Sequence, residues 1–194
     1  MIARKLSSIA ALVFICLVLL AIKRVLYAPK DVAFLGDSIT ESWQYPVANL
    51  GVFGNTTTQM LNRFYRLIPG HGYRKVVILG GTNDVLLGID PATTVKNLET
   101  MGNLATAQHA EPILCDVPPI DPGSRYFGGK DYGRRVLDLN NRIVRLAAIH
   151  HWKLVDYYSP LVGHPSLFSD GVHPKRTGYL MMELAFLRQI HPLS

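Results

Sequence analysis

Cysteine is nearly absent, with only Cys16 and Cys115 in 194 residues. Cys16 lies in an apolar N-terminal run and Cys115 in a predicted strand, which argues against a disulfide framework. No Gly-x-Ser-x-Gly pentapeptide occurs, and this argues against the nucleophile elbow of the α/β-hydrolase fold. Gly80-Gly81 is not followed by Lys-Ser/Thr, so it is not a phosphate loop. His71, His109, His164 and His191 lack metal-ligand spacing with carboxylates, and His150-His151 reads as a helix end at the surface. Neither a metal nor a cofactor is expected. Internal repeats and low-complexity tracts are also missing. Acidic residues are absent from residues 1–28, which carry Arg4, Lys5, Lys23 and Arg24. Setting those four aside leaves 16 basic against 14 acidic residues. The formal charge of +6 therefore reflects mostly the N-terminal flanks and does not point to nucleic acid.

Residues 6–22 form a run of 17 residues without a charge. At about 1.5 Å per residue such a helix spans roughly 25 Å, near the short limit for a bilayer. The expectation is an uncleaved membrane anchor within residues 1–28, followed by a single catalytic domain over 29–194. A cleaved signal peptide is the rival reading. Against it stand a long apolar stretch at 9–22 and the poor cleavage site Leu26-Tyr27-Ala28. Basic residues flank both ends of the run, so charge gives no orientation. The catalytic domain is placed outside the cytoplasm, periplasmic if the cell is bacterial, because export is the commoner reason to carry such a segment.

From residue 31 onward, apolar strands alternate with helices. Residues 31–35, 47–52, 75–79, 113–117 and 153–156 read as strands, and the Lys-Val-Val-Ile-Leu run at 75–79 is the strongest of them. Helices are predicted over 39–43, from Thr57 or Thr58 to Pro69, over 91–107, over 136–150 and over 174–190. This alternation implies a parallel sheet covered on both faces, with ligands at the carboxyl ends of the strands. The segment 118–135 is a long loop on that edge, carrying Arg125, Tyr126 and Phe127, and is either a solvated loop or a substrate flap.

Three separated segments carry residues suited to one chemistry: Gly36-Asp37-Ser38, Gly81-Thr82-Asn83-Asp84 and Asp170-Gly171-Val172-His173-Pro174. Serine attack on a carbonyl needs a nucleophile, a base, a group to orient the base, and donors for the oxyanion. Each segment has a plain structural reading: a helix-capping serine, a turn, and a turn with a capping acid. Their joint occurrence weighs against all three being structural at once. Trp43 reads as packing, and Asp84 as support for the Asn83 turn.

The order Gly-Asp-Ser, then Gly54, then Gly-x-Asn-Asp, then Asp-x-x-His-Pro resembles the SGNH (GDSL-type) hydrolase family over about residues 31–190. One departure is Asn55, where family members often have Asp after the block-two glycine. The resemblance implies a flavodoxin-like three-layer α/β/α sandwich on a five-stranded parallel sheet. It also implies that Ser38 is the nucleophile, His173 the base and Asp170 its orienter. The oxyanion donors would be the Ser38 and Gly54 N–H groups and the Asn83 amide.

The expected activity is hydrolysis of carboxylic esters or thioesters, on a small-molecule, lipid or glycan substrate, through an acyl-enzyme. The alternatives are an O-acyltransferase or deacetylase acting on glycans, and a silent membrane-anchored binding module. The intact set of Ser38, Asn83, Asp170 and His173 speaks against the silent module.

Overall fold

A computed structural model describes residues 31–45, 47–127 and 131–190. The expected span at 6–22 lies outside the described residues. Among the described residues, no helix is long and apolar enough to cross a membrane.

Five strands form the sheet: β1 (Val32–Gly36), β2 (Ala48–Gly51), β3 (Lys75–Leu79), β4 (Glu111–Cys115) and β5 (Lys153–Val155). All pairings are parallel and the order is β2-β1-β3-β4-β5. Parallel neighbours require crossovers, and among the described residues six α-helices accompany the sheet: α1 (Ser38–Glu41), α2 (Thr57–Leu67), α3 (Thr82–Leu87), α4 (Pro91–Ala107), α5 (Tyr132–His150) and α6 (Arg176–Ile190).

The two-residue period of the strands sorts their side chains into two cores. Ala33, Leu35, Val76, Ile78 and Leu114 face Met60 and Phe64 of α2, Leu98 and Met101 of α4, and Leu139 and Ile143 of α5. Val32, Phe34, Val77, Leu79, Ile113 and Cys115 face Ile39 of α1 and Met182 and Phe186 of α6. The domain is thus the expected three-layer α/β/α sandwich. Because both faces are covered, β1 is buried at all five positions and reads as an uninterrupted apolar run. Trp43 does pack in this second core: it is 6% exposed, and its ring centroid lies 5.2 Å from Phe34 and 5.8 Å from Tyr157.

Several boundaries differ from the sequence reading. β4 begins at Glu111 rather than 113, taking in Pro112. Pairing with β5 starts only at Ile113, so Pro112 sits at the strand's start, where a missing N–H is tolerated. α5 begins at Tyr132 rather than 136, since buried Tyr132 and Val136 extend the apolar stripe by one turn. Residues 82–87, read as a turn, form α3. The cap of α2 is Thr56, one residue before the expected position: its hydroxyl accepts from the Gln59 N–H while the Gln59 side chain accepts from the Thr56 N–H.

Candidate active site

The site is assembled where the strands end. Gly36 closes β1, and a Cβ there would lie 2.0 Å from Thr40 Oγ1 and 2.8 Å from the Leu79 carbonyl. Only glycine lets the chain turn so closely from β1 into α1. Asp37 caps α1 by accepting from the Ile39 N–H at 2.9 Å, and this places Ser38 at the first helical position.

Ser38 is 6% exposed, and its Oγ lies 2.8 Å from His173 Nε2. His173 Nδ1 lies 2.6 Å from Asp170 Oδ2. An ionised Asp170 only accepts, so Nδ1 carries the hydrogen and Nε2 is free to accept from the Ser38 hydroxyl. The other oxygen of Asp170 accepts from the backbone N–H groups of Val172 at 2.9 Å and His173 at 2.8 Å. Partial burial pushes the Asp170 carboxyl up, but these hydrogen bonds and the imidazole outweigh it and hold the group below its usual value. The three-residue spacing lets one tight turn supply both acid and imidazole.

That turn is anchored on two sides. Ser169 N–H donates to the His173 carbonyl at 2.9 Å, and Phe168 bridges Pro174. Asp121 N–H donates to the Gly171 carbonyl at 2.8 Å, and the Ser124 hydroxyl donates to the Asp170 carbonyl. The first part of the 118–135 loop therefore clamps the Asp170–His173 turn. Asp121 and Ser124 are site-supporting residues with no motif of their own, so no sequence signal picks them out.

Gly54 follows β2 at φ +71°, and a Cβ there would meet nothing within 4 Å. Conformation rather than crowding calls for glycine at this position. Asn83, in the first turn of α3, donates through Nδ2 to the Asn55 carbonyl at 2.9 Å, and the same Nδ2 stands 3.5 Å from Asp37 Oδ2. The Asn83 amide, the Gly54–Asn55 turn and the start of α1 are thus drawn together at one sheet edge. Asp84 supports this arrangement, as expected from sequence. It is 1% exposed and accepts from the Thr57 N–H at 2.9 Å and the Thr94 hydroxyl at 3.0 Å, tying α3 to the starts of α2 and α4.

Two features were not anticipated. The Asp37 carboxyl is fully buried, and desolvation pushes its pKa up to about 7 against a partial offset from the Ile39 N–H and His173. Arg63, on α2, donates to Asn55 Oδ1 at 2.7 Å, to the Leu50 carbonyl at 2.9 Å and to the Gly36 carbonyl at 3.0 Å. One guanidinium therefore joins the ends of β1 and β2 to the Gly54–Asn55 turn. Position 63 stands three after Met60 and four before Leu67, on the apolar side of α2, but that placement names none of its partners. No group of three or more metal-ligating side chains occurs among the described residues.

Residues 33–181 match the model of the GDSL-like Lipase/Acylhydrolase family. The chain belongs to that family. Esterase TesA of Pseudomonas aeruginosa is 30% identical over 139 residues, which cover 69% of this chain and 64% of TesA. Thioesterase 1/protease 1/lysophospholipase L1 of Escherichia coli K12 is 27% identical, over 80% of this chain and 73% of that protein. Among solved structures, a GDSL-like lipase from Bacteroides thetaiotaomicron superposes with a TM-score of 0.76 at 30% identity, covering 88% of this chain and 94% of its own. The GDSL block of the present chain is Gly36-Asp37-Ser38-Ile39, with isoleucine in the last position.

Proposed function

We propose that this GDSL-family protein hydrolyses carboxylic esters or thioesters through an acyl-enzyme on Ser38. The observation that carries this reading is the continuous hydrogen-bonded chain from Ser38 Oγ through His173 to Asp170. Ester-hydrolysing names among the relatives support it.

In the proposed reaction His173 Nε2 takes the Ser38 proton as Oγ attacks the carbonyl carbon. Asp170 holds the imidazole by Nδ1 and stabilises its cation. The oxyanion is received by the Ser38 and Gly54 N–H groups and the Asn83 amide. The tetrahedral intermediate collapses by breaking the bond to the alcohol oxygen or thiol sulfur, which takes the proton from Nε2. Water, activated by the same nitrogen, then cleaves the acyl-serine. The Asn83–Asn55 hydrogen bond supports a preset position for the donors, so they need little reorganisation as charge develops. We place the domain outside the cytoplasm on the sequence pattern of residues 6–22 alone.

A fluorophosphonate probe tests the assignment. It is expected to label the protein once, on Ser38, and to abolish nitrophenyl ester turnover. Ser38→Ala should lose both labelling and at least about 10³-fold in turnover. Labelling or turnover that survives Ser38→Ala would overturn the assignment.

A further inference from the structure

Beside the site stands a side chain that this chemistry does not use. Phe53 is 71% exposed, although it lies on the turn between β2 and Gly54. Its ring runs nearly parallel to the His173 imidazole, at 13° and 6.3 Å between centroids. Exposure of one phenyl is ordinary by itself. Its placement is less so, because the backbone on either side of it is pinned. Val52 N–H donates to the Gly36 carbonyl at 3.1 Å, and Asn55 N–H donates to the Val52 carbonyl at 3.2 Å. The ring is therefore presented from a fixed turn, and Val52 beside it is also exposed, at 38%.

Proton delivery identifies which half of the substrate meets this ring. When the carbon–oxygen bond breaks, the leaving oxygen takes its proton from His173 Nε2, so the alcohol part must lie alongside the imidazole. A phenyl ring stacked on that imidazole offers an exposed apolar face next to it. We infer that Phe53 is a specificity-determining residue that receives the leaving group and favours esters of flat, apolar alcohols. The inference rests on the assignment of His173 as the base. The carbonyl oxygen is directed at the oxyanion donors and the acyl chain stays on Ser38 after the alcohol leaves, so Phe53 discriminates among alcohols and not among acyl chains.

The test compares acetate esters, so that every substrate forms the same acetyl-enzyme. kcat/KM then reports the acylation step, in which the alcohol departs. The ratio of kcat/KM for 2-naphthyl acetate to that for ethyl acetate is expected to fall about tenfold in Phe53→Ala, equivalent to about 1.4 kcal/mol. Phe53→Tyr, which keeps the ring, should hold the ratio within about twofold of the parent. Across naphthyl esters of increasing acyl length, Phe53→Ala should leave the relative kcat/KM values unchanged. A ratio that does not move, or a loss that tracks acyl length instead, overturns the inference. Fluorophosphonate labelling of Ser38 in each variant separates the two levels. If Ser38 is labelled but the ratio does not move, only the role of Phe53 fails; if the parent protein is not labelled, the catalytic assignment fails and takes this inference with it.

Discussion

Replacing Arg63 by methionine keeps an apolar stem of similar length and removes the guanidinium. Three acceptors then lose a donor: Asn55 Oδ1, the Leu50 carbonyl and the Gly36 carbonyl. Hydrogen bonds from a charged donor contribute roughly 1.5–3 kcal/mol each when removal leaves the acceptor buried and bare. That range overstates the present case. Arg63 is only half-buried, so water can reach part of the vacated space, and the Gly36 carbonyl retains the Val52 N–H at 3.1 Å. Burial also lowers the Arg63 pKa, so the charge carries a desolvation cost that methionine does not. About 1 kcal/mol per contact, or roughly 3 kcal/mol in all, is the reasonable expectation. For a domain of this size that lowers Tm by about 6–12 °C. The catalytic effect should be separate in kind. The guanidinium holds Asn55, and Asn55 positions both Gly54 and the Asn83 amide. If Gly54 and Asn83 donate to the oxyanion as proposed, a loosened turn forfeits part of that stabilisation, and because a full donor is worth roughly 10²–10³ in kcat, about tenfold is expected. Thermal unfolding by circular dichroism gives the first number, and steady-state kinetics at 25 °C, well below Tm, give the second. Arg63→Lys should fall between, since a compact ammonium cannot span three acceptors in different directions. A Tm within 2 °C of the parent together with kcat within twofold would refute the bracing role.

Two further perturbations follow from buried groups. Asp37 titrates near pH 7 in the folded protein, against an ordinary value of 3.8, because burial disfavours its charge. The unfolded chain releases this proton near pH 4 and the folded chain near pH 7, so Asp37 makes stability fall as pH rises across that window, by roughly 4 kcal/mol in the limit. Asp116 is likewise pushed up to about 7 by burial and adds its own slope in the same direction. Asp37→Asn, compared with the parent by urea unfolding at pH 5 and pH 8, should therefore halve the loss of stability over that range; an unchanged slope would mean that Asp37 is already ionised at pH 5. Gly102, inside α4, tests packing: a Cβ there would lie 2.2 Å from the Trp152 ring. Alanine gains about 1 kcal/mol of helix propensity, but the overlap forces the indole to move, so Gly102→Ala should destabilise by a net 1–2 kcal/mol and alter Trp152 fluorescence. A stabilised variant would show that the indole shifts freely.

What could be read in the sequence, and what could not, follows from the range of the interactions involved. β3 and α4 were read to the residue because their signals are local: an apolar run in one, Pro91 at the first helical position in the other. The segments of the candidate site were legible for a related reason. Each is a short turn at the carboxyl edge of the sheet, and a turn needs particular residues at particular spacings, as Asp170 and His173 show by sharing one turn. α3 was not legible, because Thr82, Asn83 and Asp84 are turn formers by local preference. Their helical state depends on Asp84 reaching Thr57 and Thr94 on other elements. Arg63, Asp121 and Ser124 escaped for the same cause. Each acts at least in part through backbone carbonyls distant in the chain, and a backbone partner leaves no residue type to recognise.

That distinction bears on the departure at position 55. An aspartate there would face Arg63 as an ion pair, whereas Asn55 offers the guanidinium a neutral oxygen at 2.7 Å. Among the described residues, the hydrogen bonds of Arg63 go to Asn55 Oδ1 and to the Leu50 and Gly36 carbonyls, and to no carboxylate. The brace therefore works without adding negative charge beside Gly54 and Asn83. Negative charge next to an oxyanion site opposes the charge that develops on the substrate oxygen, and the opposition is strongest where water is excluded. Asp37, already buried at this edge and 3.5 Å from the Asn83 amide, has its charge disfavoured by desolvation, which pushes its pKa up to about 7. A neutral Asn55, and an Asp37 whose charge burial disfavours, leave the Asn83 donor facing less negative charge than a count of nearby acids in the sequence would suggest.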